Sequence, residues 1–243
     1  MVAATSLELG ETNQHSGTYK SLSLTLSMIL ASIYPIVQQP VRGWIRSGVI
    51  CAAWLGTPCS TWSRARRDIN GHGPRSKEFI YGFPGFSEVE LKRLAEGNAT
   101  MRVSCRLLRA MLRARIPAVL ENPSASLLWS APPLQTVLAE GHRIVIDYCS
   151  YGTRWRKRTA FHAFCLSSAH SLKCTCRGRR GCCSFTGQKH QLLSGYDSVT
   201  KQRWTKIAEP YPPKLCRYLA TYIFDTVESL ALSHRHSIFD GHS

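Results

Sequence analysis

The stretch Gly48-Val-Ile-Cys-Ala-Ala-Trp-Leu55, running into Gly56-Thr-Pro-Cys-Ser-Thr-Trp-Ser63, decides the fold reading of this chain. Residues 48–55 are continuously apolar, as a β-strand covered on both faces should be. Gly56-Thr-Pro58 is a turn-forming stop, so the strand ends in a loop that carries Cys59. Downstream, Pro117-Ala-Val-Leu-Glu121 reads as a second strand ending at Asn122-Pro123. Between them, Leu91, Leu94, Met101, Val103, Leu107, Leu108 and Met111 recur at helical spacing and predict a helix from Glu88 to Arg115, with Gly97 as its weak point. Residues 64–88 read as a long basic loop containing glycine and proline.

Working outward, a helix is expected over Pro132–Glu140, closed by Gly141. His142–Tyr148 alternates around Ile144 and Ile146 as a strand, Tyr151-Gly-Thr turns, and Thr159–Leu166 returns as its partner. Strand–helix–strand–helix–strand argues for an α/β fold with a parallel sheet, finished by a hairpin. Residues 1–17 read as a polar tail and residues 20–38 as a helix ended by Pro35 or Pro40. Four regions follow: a tail and helix over 1–40, an α/β core over 41–166, a basic Cys/His-rich segment over 167–210, and a C-terminal helix with its tail over 211–243. The last helix is expected from Pro212 to Ser233.

The chain has 243 residues, 44% of them hydrophobic, enough to build a core, which excludes a wholly disordered chain. Lys and Arg number 31 against 15 acids, for a formal charge of +16, which points to a polyanionic partner. Ten cysteines are too few for a disulfide scaffold, and five of them fall between Cys165 and Cys183. The opening segment has no basic n-region, and Leu22–Val37 is broken by serines, Thr25 and Pro35. These features predict an intracellular protein with reduced thiols and no membrane partner, nuclear if the source is eukaryotic.

Three features could carry chemistry. Cys59 follows a buried strand, and in open α/β sheets ligands bind beyond the carboxyl ends of strands. Arg64, Arg66 and Arg67 follow it, and their charge favours a thiolate. Taken alone, a Pro-Cys pair reads as a small loop hydrophobe. Glu121 ends the next strand, where a carboxyl in a partly dry cleft can have a raised pKa and donate a proton to a ring nitrogen. Alone, Glu-Asn-Pro is a polar strand end. Arg154, Trp155, Arg156, Lys157 and Arg158 then interleave cations with an aromatic, suited to phosphates and base stacking. From Tyr151 to His190 the chain has nine Lys/Arg and no acid, and Arg177, Arg179 and Arg180 belong to that window.

In this order, Pro58-Cys-Ser-Thr-Trp-Ser63, Glu121-Asn-Pro123 and Tyr151-Gly-Thr-Arg-Trp-Arg-Lys157 resemble the C5-cytosine DNA methyltransferases, over roughly residues 48–165. The resemblance implies a Rossmann-like, methyltransferase-type sheet. It also implies that Cys59 attacks C6 of a flipped-out cytosine, that Glu121 protonates or hydrogen-bonds N3, and that Arg156 helps to hold base and sugar-phosphate. S-adenosylmethionine would be the cofactor and DNA, or RNA, the partner. The matching residues belong to the catalytic half of the family's fold. No Phe-x-Gly-x-Gly loop precedes Cys59, Glu-Asn-Pro stands for Glu-Asn-Val, and Trp62 for a usual Phe, so the sheet is expected to be incomplete. A truncated enzyme, or one needing a partner chain for the cofactor half, is the first reading. A non-enzymatic, basic nucleic-acid-binding derivative of the fold is the alternative.

The basic segment also holds Cys174, Cys176, Cys182, Cys183 and His190, with His170 nearby. Zinc takes about four thiolate or imidazole ligands in a tetrahedron, and Cys174, Cys176, Cys182 and His190 are the candidate set. Adjacent cysteines and a one-residue gap depart from the usual ligand spacing, so free thiols in a basic loop are the alternative.

Overall fold

The computed structural model describes residues 35–64, 73–166 and 174–239. The expected tail, most of the expected 20–38 helix, Arg66, Arg67 and His170 lie outside these residues. The element order is α1 (Pro35–Arg46), β1 (Ala53–Gly56), α2 (Glu88–Arg113), β2 (Ala118–Pro123), α3 (Pro132–Leu138), β3 (His142–Asp147), β4 (Arg158–Phe164), α4 (Trp204–Ile207) and α5 (Pro213–Phe239), with short 3-10 turns between.

The architecture is mixed α/β, and the sheet order is β1-β2-β4-β3. β1 and β2 are parallel, with Gly56 opposite Glu121. The expectation of a parallel sheet holds for that pair only. β4 returns from β3 after the connection 148–157, which includes the 3-10 turn Tyr148–Tyr151; it runs antiparallel to β3 and inserts beside β2. The connection length favours that direction: this link suffices to reverse the chain, whereas parallel pairing needs a longer crossover such as α2.

Alternation along the strands feeds two cores. Leu55, Ala118, Leu120, Ala160 and Phe164 face α1, α2 and α3, where Met101, Leu108 and Leu134 are fully buried. Val119, Phe161, Ala163, Ile144 and Ile146 face Leu215 and Leu219 of α5. Trp54 joins that second face, packing on Phe161 and Tyr211 at centroid distances of 5.3 and 5.5 Å.

Several boundaries differ from expectation: α5 runs on to Phe239 and β2 through Pro123, and the start of β1 and the end of α1 also move. β1 begins only at Ala53, because the amides of Val49 and Ile50 turn back to the Trp44 carbonyl at the end of α1. α1 continues through Pro40 to Arg46. An internal proline costs about 3 kcal/mol. Burying Val41 and Ile45 one turn apart returns about 1.5–3 kcal/mol each, which offsets it.

The chain between β1 and α2 is anchored by a buried cation. Arg75 is 4% exposed, and its guanidinium lies 3.7 Å from the centroid of the fully buried Trp62 ring. It donates to the Thr61, Ile80 and Leu94 carbonyls, to Thr61 Oγ1 and to Asn98 Oδ1. Burial lowers its pKa to about 10, so it stays charged near neutrality. Gly97 is therefore no accident in α2: a Cβ there would overlap Thr61 Oγ1.

Candidate functional site

The parallel pairing of β1 and β2 brings the loop that carries Cys59 beside Glu121. Thr57 and Cys59 leave the carboxyl end of β1, and Glu121 stands opposite Gly56 near the same end of β2. Asn122 ties the two together by donating 2.7 Å to the Thr57 carbonyl, and Thr57 Oγ1 lies 2.8 Å from Ser104 Oγ on α2. The Cys59 carbonyl accepts from the amides of Trp62 and Ser63 at 3.0 and 2.8 Å. A loop anchored by buried Trp62 and closed on itself holds the thiol in place.

Glu121 shares its sheet face with Val119 and so meets the α5 side. Tyr211 Oη donates to Glu121 Oε2 at 2.9 Å and accepts from Trp54 Nε1 at 3.3 Å. Burial lifts the Glu121 carboxyl above the ordinary carboxylate range, against the pull of the Lys157 ammonium and the Tyr211 hydroxyl. Burial and the Glu121 charge push the Cys59 thiol up, and Lys157 pulls it back in part. Lys157 Nζ donates 3.0 Å to the Ala208 carbonyl and sits 5.0 Å from the centroid of the buried Tyr148 ring. The cluster thus contains a nucleophile, a carboxyl biased toward its protonated form, and one cation.

Arg156 is elsewhere. Side chains alternate along the segment that enters β4, so Lys157 faces this cluster while Arg156 and Arg158 face the opposite way. Arg158 donates to both oxygens of the fully buried Asp147 carboxylate, at 3.0 and 2.7 Å. Arg156 Nε is 3.7 Å from Asp147 Oδ1. Trp155 packs toward Trp204, centroid to centroid 6.5 Å, and its indole nitrogen has no hydrogen-bond partner. Arg64, Arg154, Arg156, Arg177, Arg179 and Arg180 are exposed.

Sequence reasoning missed Trp54, Tyr148 and Tyr211 and gave Lys157 a phosphate-binding role alone. Tyr211 had a signal: it sits in Glu209-Pro-Tyr-Pro-Pro213, where prolines on both sides present a rigid extended backbone.

The Cys/His cluster corrects the expected ligand set. Cys149, Cys176, Cys183 and His190 bring their ligand atoms within 4.8 Å of one another, and this group could hold a metal such as zinc. Cys174 and Cys182 stand outside it. Cys176 and Cys183 are buried; Cys182, one residue from Cys183, turns the other way, Cys174 lies where its carbonyl accepts from the Asp147 amide at 2.9 Å, and Cys149 completes the group from the 3-10 turn after β3. Asp147 couples this cluster to the sheet by accepting from the Cys176 amide at 2.7 Å. No helix among the described residues is long and apolar enough to cross a membrane. The chain matches no family model, no curated protein and no solved structure.

Proposed function

We propose that the chain is a C5-cytosine DNA methyltransferase-like protein whose own residues activate the base. The observation that carries this is the placement of Cys59 and Glu121 at neighbouring carboxyl ends of β1 and β2. A carboxyl whose pKa burial raises is the better placed to give a proton to N3 of cytosine as the Cys59 thiolate adds to C6. While Glu121 still carries that proton, the charge that raises the Cys59 thiol is absent and Lys157 favours the thiolate; the carboxylate left after the transfer faces the protonated N3. The ring electrons then collect at C5, which can take up an electrophile. S-adenosylmethionine would supply a methyl group to that carbon. No described residues form a recognisable cradle for it, and a partner chain is the proposed source of that half. Arg156, paired with Asp147, belongs in this reading to backbone binding on the basic face beside Arg154. The base is steadied by Lys157.

The second reading is a non-enzymatic nucleic-acid-binding protein, favoured by the exposed arginines of residues 154–180. One experiment separates the two without any methyl donor. Addition of Cys59 at C6 makes the C5 proton exchangeable, and elimination returns cytosine. The full chain should therefore exchange cytosine C5 hydrogen in bound single-stranded DNA for solvent deuterium. Cys59→Ser should abolish exchange and Glu121→Gln should slow it by about 10²–10⁴-fold. DNA that binds without exchange sinks the enzyme reading and leaves the binding protein.

A further inference from the structure

We propose that Cys149, Cys176, Cys183 and His190 bind one structural zinc ion that holds the arginine-rich segment 174–191 against the end of the sheet. The inference rests on ligand geometry and does not depend on the cytosine chemistry above.

Tetrahedral zinc with Zn–S near 2.3 Å and Zn–N near 2.0–2.1 Å has ligand-to-ligand edges of about 3.6–3.8 Å. Cys176 Sγ is 3.7 Å from His190 Nε2, and all four ligand atoms lie within 4.8 Å of one another. The histidine is already oriented. Its Nδ1 is 3.0 Å from the Gly181 carbonyl, and since a carbonyl oxygen can only accept, Nδ1 carries the proton. That leaves the Nε2 lone pair aimed at the sulfurs, the arrangement that second-sphere carbonyls impose on metal-bound imidazoles. The Ser184 amide and hydroxyl lie 3.2 and 3.4 Å from Cys176 Sγ, donors suited to a metal-bound thiolate.

The energetics of the segment point the same way. Its own buried cluster consists of three cysteines, Cys149, Cys176 and Cys183, and nothing aliphatic. It has one isolated bridge, Cys182 to Lys189, and backbone at positive φ at Gly178, Arg180, Gly181 and Gly187. Small thiols supply little hydrophobic stabilisation, and none of these cysteines is in a disulfide. Metal coordination supplies folding free energy directly in such loops. Four protein ligands leave no open position, which marks a structural site and not a catalytic one. Binding releases the thiol protons of three cysteines.

The consequence is positional. The segment lies directly on the hairpin: a Cβ at Gly178 would overlap the Arg156 guanidinium, and the Gln191 amide donates 2.8 Å to the Arg154 carbonyl. The zinc would therefore align Arg177, Arg179 and Arg180 with Arg154 and Arg156 on one face.

The test is elemental analysis and zinc X-ray absorption on the full chain, loaded with zinc under reducing conditions and dialysed. The expected result is one zinc per chain with a first shell of three sulfurs and one nitrogen. Cys174→Ser and Cys182→Ser should keep the zinc, and Cys183→Ser and Cys176→Ser should lose it. A chain free of zinc, a shell of four sulfurs or of two sulfurs and two nitrogens, or zinc lost equally from Cys182→Ser and Cys183→Ser would overturn the assignment. The absorption shell is read on the unmodified chain, so a ligand variant that fails to fold does not shelter the proposal. Chelation should also abolish hydrogen-exchange protection at the amides of Cys183, Gly187 and His190 while β2 and β4 stay protected. Unchanged protection would sink the structural role.

Discussion

Replacing Gly97 by alanine sets helix propensity against packing. Gly97 lies inside α2, where alanine is favoured over glycine by about 1 kcal/mol. On propensity alone the variant should be more stable. The structure reverses the sign. The new Cβ would overlap Thr61 Oγ1 and would stand 3.0 Å from Arg75 Nη2 and 3.4 Å from Trp62 Nε1. None of these atoms can retreat cheaply. Thr61 is 2% exposed and its hydroxyl accepts from Arg75; Trp62 is fully buried and donates to the Gly97 carbonyl. Overpacking of this kind costs about 1–3 kcal/mol, and disturbing a charged hydrogen bond adds to it. Subtracting the propensity gain leaves a net loss of about 1–2 kcal/mol. For a chain of this size that lowers Tm by roughly 2–8 °C. Gly43→Ala is the internal control: it also lies in a helix, α1, with nothing within 4 Å of its new Cβ, so it should gain up to about 1 kcal/mol. Thermal unfolding followed by circular dichroism, with urea midpoints as a second measure, reads both. The loop that carries Cys59 loosens with Trp62, so alkylation of Cys59 by iodoacetamide should also quicken in Gly97→Ala. A Gly97→Ala protein as stable as the parent, or more so, would refute the close packing of α2 on this loop.

Four further outcomes follow from the structure. Glu121→Gln should shift the pH profile of Cys59 alkylation to lower pH and Lys157→Gln should shift it to higher pH, because the carboxylate raises and the ammonium lowers the thiol; shifts of the same sign would refute the cluster. Burial raises the folded-state pKa of Glu121, so its stabilising contribution is full below the ordinary carboxyl range and is lost as pH rises through the folded value. Urea melts should accordingly find Glu121→Gln more stable than the parent near neutrality and equal to it below about pH 4. Asp147→Asn should cost about 3 kcal/mol, the lower end for breaking a buried ion pair, since Arg158 is 40% exposed and can turn to water; an unchanged urea midpoint would show that the latch holds nothing. Binding of duplex DNA should weaken with salt by about 0.9 in log–log slope per phosphate neutralised, and Arg154→Ala or Arg179→Ala should each reduce that slope; affinity that is flat with salt would remove the basic face as a nucleic-acid interface.

The sequence by itself determined the α/β class, the existence of β1, β2, α2 and the β3–β4 hairpin, and the position of Cys59 and Glu121 at strand ends. Those features are local: apolar runs, helical spacing and turn residues act over a few positions, and two parallel strands joined by a helix must end on the same side. Only the tertiary structure decided the rest. The insertion of β4 beside β2 depends on which strand edge is left unpaired, which no local pattern records. Whether Arg156 or Lys157 reaches Glu121 turns on a one-residue alternation in a segment where both residues are cationic, so composition is blind to it. The same one-residue alternation separates Cys183 from its neighbour Cys182, whereas Cys174 has the parity of Cys176 and only the course of the chain keeps it out; the fold also brings in Cys149, which lies 27 residues before Cys176 in the chain. Tyr211 meets Glu121 across a separation of 90 residues. Gly97, a flaw by propensity, is the place where α2 comes close enough for Thr61 and Arg75 to hold the Cys59 loop. Contacts of that kind are made between elements after each has formed, and their reason is the shape of the space between them.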